Sequence, residues 1–190
     1  MNTVMTALFV VGAVLLVVIV WIVATYNRLV GLRNTVKESW ADVTTELKRR
    51  YDLIPNLVNT VKGYMQHERE IMDAVTRAHE AALSGAPTPA AQAQAENDLS
   101  RALRSLFALA ENYPQLKASE NFLGLQQELA NTEDRIQAAR RFYNGNVRDN
   151  NNAVQFFPGS IIAGMFGFHA ADFFEIDDPA VAEPVKVSFG

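Results

Sequence analysis

The sequence predicts an all-α protein: one N-terminal transmembrane helix leading into an antiparallel, long-helix, four-helix-like bundle. Three observations carry that prediction. Residues 2–27 contain no Asp, Glu, Lys, Arg or His. The rest of the chain repeats apolar residues at steps of three and four, the signature of helices with one buried face. Only "PVKVSF" at 184–189 shows strand-like alternation.

The N-terminal element is apolar from Val4 to Ala24, interrupted only by Thr6. At about 1.5 Å per residue such a run makes roughly 31 Å of helix, the thickness of a bilayer's hydrocarbon core. A cleaved signal peptide would call for a basic start, a shorter apolar region and a small-residue cleavage site. Here "MNTVMTA" has no basic residue, and Trp21 and Tyr26 stand at the far end as interfacial anchors do. The expectation is therefore a retained anchor over 1–27, contacting lipid through residues 4–25. Arg28, Arg33 and Lys37 follow the anchor and no basic residue precedes it. The positive-inside rule then places the N-terminus outside and the body in the cytoplasm.

The next division, residues 28–156, reads as the helical bundle. Leu32, Val36, Trp40, Val43, Leu47, Tyr51 and Ile54 continue one helix directly out of the anchor. Pro55 lacks the N–H that would bond back to Tyr51, so a kink or break is expected there, with one helical rod before it and one after. The pattern resumes at Val58, Val61, Met65, Met72, Val75 and Leu83, and "SGAPTP" at 84–89 stops it. A further helix is expected from about Ala90 to Asn112, with Leu99, Leu103, Leu106, Phe107 and Ala110 buried. Ser119 is a natural N-cap for the last one. There Phe122, Leu125, Leu129, Thr132, Ile136, Ala139 and Tyr143 form a heptad series reaching Val154 through polar Asn146 and Asn150. Residues 157–190 form the third division, an aromatic apolar segment and an acidic, proline-punctuated tail.

Composition excludes several kinds of chemistry. Cysteine is absent, which removes disulfides, thiolate nucleophiles and thiolate metal sites. A net charge of −4 gives no reason to expect nucleic acid as a partner. "HERE" at 67–70 is not H-E-x-x-H, and no Glu-x-x-His of the di-iron type occurs. No cofactor, metal ligand or catalytic residue is therefore expected. A metal site assembled from separate helices is the alternative, and would make the protein a metal-dependent enzyme.

Three groups remain as candidate sites. Asp52, Pro55 and Asn56 form a helix bend or a partner surface. Lys48, Arg49 and Arg50 form a basic cluster. On a straight helix Lys48 stands roughly 35 Å beyond the anchor, several Debye lengths from lipid head groups, so a solvated face, bundle salt bridges or an acidic neighbouring chain fit better. Phe156, Phe157, Phe166, Phe168, Phe173 and Phe174 are six of the chain's eleven phenylalanines. They cap the bundle, meet a neighbouring copy, or touch the bilayer. The two principal functional expectations are a self-associating, non-enzymatic membrane scaffold and an adaptor for another membrane protein.

"LKRRYDLIPNLVNTVKGYMQHE" at 47–68 resembles the signature of the LemA family of bacterial membrane-anchored proteins. Residues 95–151, from "AENDLSRAL" to "NVRDNN", are similar to that family's second and third helices, and "FFPGSIIAGMFGFHAADFFE" to its closing segment. The likeness runs from about Tyr26 to Glu175. The anchor matches in kind only, and Gly145 and Asn150–Asn152 depart from the family pattern. The resemblance implies a long-helix bundle on a single anchor. It brings no established activity and no catalytic residues. It also implies two settings, association with a quality-control membrane protease or the organisation of a membrane compartment.

Overall fold

The structure is a computed structural model that describes residues 3–65 and 67–176. Regular structure among them is entirely helical: α1 (Thr3–Lys62), α2 (Arg69–Leu83), α3 (Pro89–Ala110), α4 (Pro114–Lys117), α5 (Glu120–Gln155) and α6 (Gly159–Phe166). The all-α class is thus as expected. "PVKVSF" and most of the acidic tail lie outside the described residues.

Two compact units divide the described residues, one made by residues 3–42 with 141–171, the other by 43–140 with 172–176. In the first, the apolar run of α1 is exposed along its length, from Val4 to Val23. It is long and apolar enough to cross a membrane, and none of the most apolar window is covered by protein. Beyond it, Leu29 packs with Ile162, Ala163 and Phe168 in a small core flanked by Ile22, Val30, Ala153 and Val154. Trp40 meets the ring of buried Tyr143 with centroids 5.2 Å apart. Asn151 holds the chain after α6 like a staple, donating to the Ala171 carbonyl at 2.9 Å and accepting from the Ala171 N–H at 2.8 Å. Gly167 closes α6 in the left-handed region at φ 69°, a conformation glycine adopts without a Cβ penalty.

The second unit gathers residues 43–62 of α1, then α2, α3, α4 and residues 120–140 of α5. Its core contains Val43, Leu47, Ile54, Leu57, Val61, Val75, Leu99, Leu106, Leu116 and Ile136. Of the kink or break expected at Pro55, the break is not found: α1 runs through Pro55 to Lys62. The break falls between Gly63 and Glu68 instead, where the N–H groups of Tyr64 and Met65 both bond the Val61 carbonyl and Met65 is turned inward. "SGAPTP" does separate two helices. Thr88 caps α3, its Oγ1 accepting from the Ala91 N–H at 3.2 Å with Pro89 in the first turn. Thr88→Ala is expected to cost about 1 kcal/mol, read as a lower urea midpoint and faster exchange of the Ala91 amide.

On α5 the predicted heptad is the buried face. Phe122, Leu129, Thr132 and Ile136 face the core of the second unit, and Tyr143, Val147 and Asn150 that of the first. α5 continues through Gly145 and the asparagine run to Gln155. The short helices α4 and α6 have too few residues to show a period in sequence.

Candidate functional site

Heptad spacing delivers polar residues into the second unit. Along α1, Val43, Leu47, Arg50, Ile54, Leu57 and Val61 are all buried, at steps of four and three. Arg50 therefore occupies a core position. Along α3, Gln92, Glu96, Leu99, Leu103, Leu106 and Ala110 repeat the same steps, and all are buried. Glu96 has no exposed side-chain surface and Arg50 is 2% exposed. Charges so buried persist only when paired.

The pairing joins three helices. Arg50 Nη1 donates to Glu133 Oε2 on α5 at 2.8 Å. Arg50 Nη2 donates to Ser100 Oγ at 3.0 Å and to the Glu96 carbonyl at 3.4 Å, both on α3. Glu96 Oε2, which accepts no hydrogen bond, stands 3.2 Å from Arg50 Nη2 as its ion-pair partner. The other carboxylate oxygen of Glu96 accepts from the Tyr51 hydroxyl and from Gln92 Nε2, the latter at 3.0 Å. Gln92 Nε2 also donates to the Ala82 carbonyl at 3.1 Å, while Gln92 Oε1 accepts from the Ala86 N–H at 2.9 Å. One glutamine thereby ties the α2–α3 connection to the centre of the unit.

A second contact explains the uninterrupted helix at Pro55. The Tyr51 carbonyl, deprived of its usual partner by the proline, accepts from His79 Nε2 on α2 at 3.1 Å. That bond requires a proton on Nε2. The imidazole also lies edge-on to the Tyr51 ring, centroids 6.0 Å apart.

Burial, then the charge of Glu96 and its hydrogen bond, push the Tyr51 hydroxyl well above the usual tyrosine range. A raised pKa means that the contribution is complete below the unfolded value of about 10 and is lost as pH climbs from there toward the folded value. Above pH ~10 the urea midpoint is expected to fall more steeply for the native chain than for Tyr51→Phe. Parallel curves would show that the hydroxyl carries no such linkage.

The sequence-derived candidates separate by burial. Lys48 and Arg49 are exposed, whereas Arg50 is the buried centre of the network. Asp52, Pro55 and Asn56 are all exposed on α1. Phe156, Phe157, Phe166 and Phe173 are exposed, while Phe168 and Phe174 are buried. His67 and His169 are exposed, and no three His, Asp or Glu side chains among the described residues converge into a metal-holding group. Sequence reading overlooked Glu96, Gln92, Glu133 and the role of His79. A signal was available, since Arg50 and Glu96 sit at core positions of two heptad series.

Beside Arg50 lies a groove of about 470 Å³, lined by Leu103, Phe107, Leu129 and Ala130 and by Arg104 and Gln137. The Arg50 guanidinium at its edge faces the carboxylates of Glu96 and Glu133, so it is not left over to select an ionic ligand.

An exposed apolar helix and a helical unit pinned by internal ion pairs define a membrane-associated, all-helical protein. Its conspicuous polar residues join helix to helix. The chain belongs to the LemA family, whose profile matches residues 39–189. It is 24% identical to two magnetosome proteins, MamQ 1 and MamQ 2, of Paramagnetospirillum magneticum, over 84% of this chain and 68% of each relative. It is 25% identical to Protein LemA of Metamycoplasma hominis, over 80% of this chain and 69% of that protein.

Proposed function

We propose that this protein is a non-enzymatic scaffold, held at the bacterial inner membrane by α1 and assembling laterally with copies of itself. The observation that carries this reading is the Arg50–Glu96–Glu133 network. Residues of the types that catalysis uses are engaged in fixing α1, α3 and α5 to one another. Such pins favour one rigid arrangement of helices, which suits a protein whose product is shape.

Tethering supplies the rest. A domain confined to a surface meets its neighbours at a high effective concentration, so weak contacts suffice for assembly. Exposed Leu83 on the second unit and Phe142 on the first offer such contacts. Arg28, Arg33 and Lys37 are exposed just past the apolar run, consistent with an N-terminus outside and a cytoplasmic body.

The test is the mass of the full-length protein in detergent and in lipid nanodiscs. A uniform closed oligomer is expected. A monomer under both conditions would remove self-assembly from the proposal and favour a second reading, an adaptor for another membrane protein. That reading draws on the open groove lined by Leu103, Phe107 and Leu129. Cross-linking in native membranes then recovers a different protein in stoichiometric amount.

A further inference from the structure

The exposed phenylalanines are not evenly spread. Between Asp149 and Asp172 the chain has no Asp, Glu, Lys or Arg, and α6 lies at the middle of that uncharged stretch. One side of α6 is satisfied within the protein: Ile162 and Ala163 are each 1% exposed, in the core made with Leu29. The other side is bare. Phe157 is 81% exposed, Met165 68%, and Ile161 and Phe166 about half. A contiguous apolar face of this kind on a short element marks a contact surface.

Its position names the partner. α6 packs on α1 around Ile22, Val30 and Leu29, and the Phe166 ring meets Tyr26 edge-on with centroids 4.9 Å apart. The apolar run of α1 ends at Ala24 and the first charge is Arg28. From Ala24 to Leu29 the helix rises about 7.5 Å. The headgroup zone adds roughly 5–8 Å to each side of the hydrocarbon core. α6 is therefore level with the membrane boundary, the depth at which amphipathic helices bury their apolar faces. Arg28, about 6 Å past Ala24, stands at head-group depth, and Arg33, about 13.5 Å past it, stands just above that zone. Arg33 stacks on the Phe168 ring at 5.1 Å, and Arg28 lines a crevice with Asn152, Phe156 and Phe157.

We infer that α6 and the preceding Phe156–Phe157 pair form a second membrane contact. This element lies in the lipid interface beside the anchor and inserts Phe157, Ile161, Met165 and Phe166 among the acyl chains. It rests on α1 being the membrane anchor. A lone transmembrane helix leaves rotation about its own axis and tilt free. An interfacial element attached to its flank restricts the tilt and fixes which side of the helix faces the membrane plane when it tilts, while rotation about the membrane normal stays free.

The cysteine-free chain makes the test direct. Full-length Phe157→Cys, Ile161→Cys and Met165→Cys, each labelled with an environment-sensitive fluorophore, are placed in phosphatidylcholine–phosphatidylglycerol vesicles. Val17→Cys serves as the mark of the span and Leu123→Cys as the mark of an exposed site in the other unit. Labels at 157, 161 and 165 are expected to emit blue-shifted and to be quenched about two-fold by lipids carrying a spin label near the head group. The label at 123 is expected to respond only to aqueous iodide. If 157, 161 and 165 respond as 123 does while 17 is quenched by lipid, the contact is refuted although the anchor stands. If those three are shielded from both lipid quencher and iodide, a second copy covers the face, and the inference is again refuted. If 17 also escapes lipid quenching, the anchor reading fails and takes this one with it.

Discussion

Arg50→Ala is expected to lower the stability of the second unit by about 3–5 kcal/mol, because it leaves a buried carboxylate without its cation. Glu96 has no exposed side-chain surface and no basic partner other than Arg50 among the described residues, whereas Glu133 is 39% exposed and can turn to water. The cost therefore falls mainly on Glu96. Urea titration of the detergent-solubilised full-length protein, followed by circular dichroism, measures it. Arg50→Lys keeps the charge but not the planar fork that reaches Glu133, Ser100 and Glu96 together, so an intermediate loss is expected. The double variant Arg50→Met with Glu96→Gln removes both buried charges, keeps an acceptor for Tyr51 and Gln92, and is expected to recover most of the stability. If the double variant is as weak as Arg50→Ala, the loss comes from packing and the electrostatic account is wrong. Should it be more stable but fail to form the oligomer, the ion pair acts in specifying the assembled arrangement.

His79→Ala is the second large effect, at about 1–3 kcal/mol, the cost of leaving the Tyr51 carbonyl unpaired together with a small cavity. What sets it apart from an ordinary truncation is its dependence on Pro55. In a Pro55→Ala background the restored N–H at position 55 reaches back to Tyr51, and the imidazole is no longer the carbonyl's only partner. The His79→Ala penalty is then expected to shrink by about 1 kcal/mol, a coupling that a double-mutant cycle isolates. Equal penalties in the two backgrounds would mean that His79 contributes packing alone. The proline, exposed on α1, is thereby linked through a backbone carbonyl to α2.

These two results differ in how visible their causes are along the chain. Arg50 could have been read as a core residue, since it lies between Leu47 and Ile54 on one heptad face. Its neighbours Lys48 and Arg49 disguised it as one of a basic run. Glu96 was equally visible at a core step between Gln92 and Leu99. That these two positions face each other, with Glu133 of a third helix, depends on how α1, α3 and α5 are packed. His79 gave no local sign at all. Its partner is defined by a missing N–H 24 positions earlier in the sequence.

The phenylalanines make the same point from the other side. Sequence showed six in a short segment and left three uses open. Packing divides them: Phe168 joins Leu29, Phe174 is buried in the other unit, and Phe156, Phe157, Phe166 and Phe173 face outward. Their periodicity was no help, because α6 is two turns long and glycines at 159, 164 and 167 break any pattern.

By itself the sequence determined the helical class, the long apolar N-terminal run, the α2–α3 connection and the seam of α5. Those depend on runs long enough for a period, or for bilayer thickness, to leave its mark in residue order. Only the tertiary structure decided that the helix would pass through Pro55, that Arg50 would turn inward, and that α6 would lie against α1 at the level of Tyr26. Each of these depends on a partner supplied from a distant part of the chain, and local propensity carries no information about whether that partner arrives.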